Sequence, residues 1–205
     1  MQEQAGRLVI VRHGQSLWNL ENRFTGWIDV PLTDTGREEA RRCAHLLREF
    51  HFDVAYTSSL CRASETLTTI LVALGQQPPM IRDPALNERH YGDLQGLDKR
   101  EVAMRFGADQ VKRWRRSYHE APPGGESLEM AARRTLPFFE RAIVGDLQRG
   151  KTVLVVAHGN SLRTIIMKLE ALSPEQIMGV ELETGMPIAY DVARDGAVLE
   201  KHVLR

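Results

Sequence analysis

Leu8-Val9-Ile10-Val11-Arg12-His13-Gly14-Gln15-Ser16 is the stretch that decides how the chain is read. Four consecutive aliphatic residues, three of them β-branched, predict a short strand buried on both faces, as in a parallel sheet. The run stops at an arginine, a histidine and a glycine. Open α/β sheets bind ligands beyond the carboxyl ends of their strands, so His13 is expected at the sheet rim with Arg12 beside it. Gly14 is read as leaving room there for backbone N–H groups to approach an anion.

A second stretch repeats the pattern. Thr152-Val153-Leu154-Val155-Val156-Ala157 predicts another buried strand, and it ends in His158-Gly159-Asn160-Ser161. Parallel pairing of these two strands would bring both histidines to one pocket. A lone strand-end histidine is usually a structural hydrogen-bonding group. Two strand–His–Gly endings, one with an adjacent arginine, point to a site.

Outward from these strands, Leu17 to Val30 mixes aromatic and polar residues and is read as an ordered loop without regular structure. Thr33 is the expected N-cap of a helix whose Ala40, Cys43, Ala44, Leu47 and Phe50 share one face. A strand over Phe52–Thr57 follows, then a helix from about Ser59 to Leu74 closed by Gly75. Arg62 falls in the first turn of that helix, where an arginine can add to an anion site or simply face solvent. Ile81–Leu86 is read as a strand feeding a charged, glycine-punctuated loop, Asn87 to Gly96. Two short helices follow, around Asp98–Phe106 and Asp109–Tyr118. Ser127 should then cap a long helix to about Gln148, kinked by Pro137. After the second strand comes another helix, a capping box at Ser173-Pro174-Glu175-Gln176, and a hairpin of Pro187–Val192 with Ala197–Val203. The alternation gives an α/β three-layer sandwich: a mostly parallel central sheet, helices on both faces and an antiparallel edge strand.

The chain has 205 residues, 42% of them apolar, enough for one core, and residues 1–205 are expected to form one domain. Basic and acidic residues number 27 each, so no net field favours nucleic acid or a membrane surface. Arginine is dense at Arg113-Trp114-Arg115-Arg116 and at Arg133-Arg134, and the second pair is read as a solvated helix face. The two cysteines, Cys43 and Cys61, both fall in predicted helices, which suggests free thiols in a reducing compartment. No apolar run reaches membrane-spanning length, and residues 1–6 lack a signal-peptide core, so a cytoplasmic location is expected.

A strand-end histidine can ligate a metal, act as a base or act as a nucleophile. Neither rim histidine has a second metal ligand close in sequence, and the cationic surroundings oppose a divalent ion, so no metal is expected. Arg12, Arg62, Arg115 and Arg116 suit phosphate and carboxylate, because guanidinium offers paired donors in one plane. Nearby positive charge disfavours imidazolium, leaving His13 neutral and able to attack phosphorus. Glu88 is the candidate proton carrier, and an ion pair with Arg89 is the equally weighted alternative.

Arg12-His13-Gly14 resembles the defining tripeptide of the histidine phosphatase superfamily. Further stretches resemble the signatures of its cofactor-dependent phosphoglycerate mutases: Asn19 through Trp27, Leu86 through Lys99, Trp114-Arg115-Arg116 and Ala157 through Arg163. The resemblance covers nearly the whole chain. It implies interconversion of 3-phosphoglycerate and 2-phosphoglycerate in glycolysis and gluconeogenesis, through a phosphohistidine primed by 2,3-bisphosphoglycerate. By motif, His13 would be the nucleophile, Glu88 the general acid/base, and His158 the second histidine that stabilises the transferring phosphoryl group. Arg12, Asn19, Arg62 and Asn160 would hold that group. Thr25, Gly26, Arg89, Tyr91, Lys99, Arg115, Arg116 and Gly159 would complete the substrate contacts. A small phosphorylated metabolite would be the only ligand class, without nucleic acid or membrane, and a homo-oligomer is admitted. The turn Gly124-Gly125-Glu126-Ser127 resembles the phosphatase branches instead, so a phosphohistidine-dependent phosphatase is the alternative.

Overall fold

A computed structural model describes residues 4–205. The buried run becomes β1 (Gln4–Arg12), in which Leu8, Val9 and Val11 are fully buried. It lies in the middle of a six-stranded sheet with β2 (Val54–Thr57), β3 (Met80–Arg82), β4 (Thr152–Ala157), β5 (Pro187–Ala193) and β6 (Val198–Val203), ordered β3-β2-β4-β1-β5-β6. The first four strands of that order run parallel. β5 runs antiparallel to β1, and β6 pairs antiparallel with β5, so the closing hairpin forms one edge of the sheet.

Alternate residues of the central strands feed two cores, the expected outcome for strands buried on both faces. On one face Val9, Val11, Leu154 and Val156 pack against α2 (Asp34–Leu46) and α3 (Cys61–Leu74). On the other, Leu8, Ile10, Val153 and Val155 pack against α6 (Leu128–Phe138) and α8 (Gly159–Leu169). These are the three layers of the sandwich. A third cluster of Phe24, Leu94, Val102, Val111 and Trp114 supports α4 (Lys99–Phe106) and α5 (Ala108–Arg116). The expected caps are present: Thr33, Ser127 and Ser173 each accept a backbone N–H with the side-chain oxygen. No helix among the described residues is long and apolar enough to cross a membrane.

Three local expectations are corrected. Leu17–Leu20 of the supposed loop is a short helix, α1, because Ser16 and Asn19 form a capping box. The strand expected over Ile81–Leu86 ends at Arg82, and Pro84–Leu86 is a 3₁₀ turn capped by Asp83. Pro84 has no N–H to give to a ladder, and the Asp83 carboxylate takes the N–H of Ala85 at 2.8 Å. The single long helix expected from Ser127 to about Gln148 is interrupted by a π-helical stretch, Phe139–Val144, between α6, which contains Pro137, and α7 (Gly145–Gln148).

Candidate active site

Parallel pairing of β1 with β4 aligns Arg12 with Ala157, so the next residues, His13 and His158, emerge side by side. Their ring centroids lie 4.9 Å apart, edge to face. β2 ends at the same rim, and Ser58 just beyond it places Oγ 2.7 Å from His158 Nε2. His13 is 3% exposed, and its Nδ1 lies 2.7 Å from the carbonyl oxygen of Gly14. A carbonyl only accepts, so Nδ1 carries the ring proton and Nε2 keeps its lone pair.

Burial lowers the pKa of His13 well below the ordinary imidazole value, with Arg62 and then Arg12 adding to the effect. His158 is lowered for the same leading reason, then by Arg62, His13 and Arg12. Both imidazoles are therefore neutral at pH 7. The sign for stability follows: below the ordinary imidazole value of 6.5 the unfolded chain takes up protons that these two folded imidazoles refuse, so acidification weakens folding. In an NMR titration, the ring signals of His13 and His158 should show no protonation step near pH 6.5; a midpoint at or above that value would contradict the buried neutral pair.

The reading of Gly14 as an anion-binding backbone position is corrected. Its N–H already donates to Thr66 Oγ1 at 3.0 Å. Glycine is required there because a Cβ would lie 2.2 Å from the carbonyl oxygen of Gly36 on α2.

A cavity of about 180 Å³ opens beside His13. It is lined by Arg12, Asn19, Thr25, Gly26, Arg62, Glu88, Tyr91, Lys99, Arg115, Arg116, Gly159 and Asn160, all named from the sequence. Arg62 is no surface residue: it is 1% exposed and donates to the carbonyls of Gly26 (2.8 Å) and Ile28 (3.1 Å). It thereby fixes the loop after α1 against the pocket. Burial lowers its pKa to about 10. Arg12 donates to the Leu182 carbonyl at 2.8 Å, and its buried Nε has no hydrogen-bond partner among the described residues. Asn19 Oδ1 is occupied by Ser16, which leaves its amide N–H groups as the donors available to a ligand.

Glu88 does not pair with the guanidinium of Arg89. Its Oε1 accepts two backbone N–H bonds, from Arg89 at 2.7 Å and from Asn160 at 3.2 Å. Arg89 itself is fully buried and lies behind the cavity instead of lining it. Its guanidinium donates to the Trp114 carbonyl (2.8 Å) and to Asn160 Oδ1 (3.0 Å), which ties α5 to the start of α8. His158, also fully buried, packs edge to face on His13 and is not itself a lining residue of the cavity.

Lys99 of α4 and Arg115 and Arg116 of α5 line the same cavity. Burial, then repulsion from Arg115 and Arg12, pushes Lys99 down to about 8. Basic side chains thus dominate the lining, and among the described residues Glu88 and Glu181 are its only carboxylates.

Three contributors were missed. Ser58 sits at a strand's carboxyl end, the same signal that singled out the histidines. Arg163 lines the cavity one helical turn after Asn160 and donates to Asn160 Oδ1 at 3.2 Å. Arg134, assigned to a solvated face, is instead 20% exposed in its side chain and holds the loop that carries Glu88. Its neighbour Arg133, 74% exposed and paired with Glu129, fits the assignment.

Residues 8–204 match the family model of the histidine phosphatase superfamily, branch 1. The chain is 56% identical to the 2,3-bisphosphoglycerate-dependent phosphoglycerate mutase of Xanthobacter autotrophicus over 200 residues, covering 96% of this chain and 97% of that protein. It is likewise 56% identical over 190 residues to 2,3-bisphosphoglycerate-dependent phosphoglycerate mutase 2 of Gloeobacter violaceus, with 92% and 87% covered. Among solved structures it is similar to Bacillus stearothermophilus YhfR, with a TM-score of 0.84, 30% identity, and 97% and 95% of the chains covered. The alpha-ribazole phosphatase of Shigella flexneri superposes with a TM-score of 0.82 at 27% identity, covering 97% and 95%.

Proposed function

The chain belongs to the histidine phosphatase superfamily, branch 1, and we propose that its cavity converts 3-phosphoglycerate to 2-phosphoglycerate and back, as a 2,3-bisphosphoglycerate-dependent phosphoglycerate mutase. The observation that carries this reading is a cavity lined by arginines and a lysine around one neutral imidazole, His13. A substrate carrying both a phosphate and a carboxylate matches that lining. So do the names of relatives sharing half or more of their residues with this chain.

Bound 2,3-bisphosphoglycerate supplies the phosphoryl group that primes the enzyme. The residues present suit such a polyanion, since Arg12, whose buried Nε has no hydrogen-bond partner among the described residues, lines the cavity together with Lys99, Arg115 and Arg116. His13 Nε2 would accept the phosphoryl group, forming an N–P bond as the P–O bond to the donor's carbon-bound oxygen breaks, while Nδ1–H stays on the Gly14 carbonyl and spreads the developing ring charge. Arg12, Arg62, Asn19 and the Asn160 amide stabilise the equatorial oxygens. Glu88 takes the proton from the attacking substrate hydroxyl and returns it to the departing oxygen.

His158 serves as a neutral donor. The Ser58 oxygen accepts the N–H of Leu60 at 3.2 Å, so its hydroxyl hydrogen can go to His158 Nε2. The ring proton then sits on Nδ1, a buried atom with no hydrogen-bond partner among the described residues, available to a phosphoryl group carried by the adjacent His13.

The proposal includes one domain over residues 1–205, catalysis without a metal, and a cytoplasmic location where phosphorylated metabolites are held. The test is a product balance with 3-phosphoglycerate and a trace of 2,3-bisphosphoglycerate. We expect 2-phosphoglycerate to accumulate without matching release of phosphate. The second reading, a phosphatase, draws on the Gly124-Gly125-Glu126-Ser127 turn and on the alpha-ribazole phosphatase likeness; inorganic phosphate as the only new product would establish it instead.

A further inference from the structure

We propose that Arg134, together with Glu126, is a positioning residue that clamps the backbone carrying Glu88 and so aims its carboxylate at the reacting oxygen. The inference rests on Glu88 being the proton carrier, and deepens that reading.

The segment that bears Glu88 has little regular structure of its own. After the Pro84–Leu86 turn, residues 87–91 form neither helix nor strand. Arg134 on α6 fills this gap. Its Nη1 donates to the carbonyls of Ala85 (2.9 Å) and Asn87 (3.0 Å), and its Nη2 donates to the carbonyl of Glu88 itself (2.8 Å). The same guanidinium grips both carboxylate oxygens of Glu126, each at 2.9 Å. Glu126 in turn accepts the N–H of His90 at 2.9 Å and donates its own N–H to the His90 carbonyl at 2.8 Å. The backbone is thus held on both sides of Glu88 by one bidentate ion pair. Trp27 Nε1 adds a second donor to the Glu88 carbonyl at 2.6 Å, and the Arg134 guanidinium lies 5.5 Å from the Trp27 ring centre.

A planar fork with five donors is suited to this task, and an ammonium group cannot span the same carbonyls. With the backbone fixed, the Glu88 carboxylate is held by the N–H groups of Arg89 and Asn160. Losing the clamp lets that carboxylate drift. A misplacement of about 1 Å at a reacting group can lower a rate about a hundredfold.

The test is a double-mutant cycle on kcat and KM with 3-phosphoglycerate. Arg134→Ala should lower kcat by roughly ten- to a hundredfold and change KM for 3-phosphoglycerate by less than about threefold. Arg134→Lys should recover only part of that loss. In a Glu88→Gln background, Arg134→Ala should cost nothing further, because its effect passes through the missing carboxylate. An equal fractional loss in both backgrounds would make Arg134 a general staple of the fold and overturn the proposal, as would an unchanged kcat. Should Arg134→Ala fail to fold, Glu126→Gln, which keeps the shape and removes the charge, is carried through the same cycle. If Glu88→Gln alone leaves kcat intact, the role given to Glu88 falls, and the clamp's catalytic purpose falls with it. A clamp failure alone would leave Glu88→Gln slow and Arg134→Ala fast.

Discussion

Replacing His13 with alanine is expected to abolish both turnover and the transfer of radiolabel from 2,3-bisphosphoglycerate to an acid-labile site on the protein. No other group in the cavity lining combines a neutral imidazole with an available ring nitrogen: His158 is not a lining residue, and its Nε2 is engaged by Ser58. The protonation state of His13 is set from two directions. The Gly14 carbonyl holds the proton on Nδ1, and burial with Arg62 and Arg12 opposes a second proton. Loss of a nucleophile in enzymes of comparable design costs about 10⁴-fold or more in kcat. Cavity arginines alone can bind the substrate, so binding of 3-phosphoglycerate to the variant should persist, measurable by calorimetry. Retention of an acid-labile label on His13→Ala would place the nucleophile elsewhere.

The second large effect is expected from Glu88→Gln. The amide is nearly isosteric, and its oxygen can keep the bonds from the N–H groups of Arg89 and Asn160 that now reach Oε1 at 2.7 and 3.2 Å. The substitution therefore removes the proton-carrying ability with little change in shape. General acid–base catalysis contributes roughly 10²–10⁴-fold, and kcat should fall by about that amount while KM stays within a few-fold. Single-turnover labelling of His13 should slow in parallel, because the departing oxygen then leaves without a proton. An unchanged kcat would reduce Glu88 to a structural partner of the Asn160 backbone.

Much of this site is legible in one dimension, for a physical reason. A parallel strand buried on both faces must be a continuous apolar run, and the sheet's geometry puts whatever follows that run at the ligand-binding rim. Arg12-His13 and His158 are found by that rule, and Ser58 obeys it too. Of the further cationic lining residues, guanidinium chemistry singles out Arg115 and Arg116, whereas Lys99 is reached only by motif resemblance, since two short helices give no sign of which way they fold back.

The misassigned residues share a cause. Arg89 and Arg134 are both arginines whose partners are backbone carbonyls distant in sequence: Arg89 reaches Trp114, 25 residues away, and Arg134 reaches Glu88, 46 residues away. A solvated arginine and a clamping arginine have the same sequence neighbours, as Arg133 and Arg134 show side by side. Gly14 illustrates the converse. The glycine is evident from the chain, but its reason, the approach of Gly36 on α2, lies in the packing of another element.

By itself, then, the amino-acid sequence determined the layered α/β fold, the two rim histidines and the anionic character of the ligand, because hydrophobic period and strand-end position are local properties of the chain. Tertiary structure alone decided which nitrogen of His13 carries the proton, that Arg89 braces the cavity wall, and that Arg134 grips the loop of Glu88. Each of these depends on which carbonyl faces a given donor after folding: for His13 that of its own neighbour Gly14, turned toward the ring, and for Arg89 and Arg134 carbonyls of distant segments.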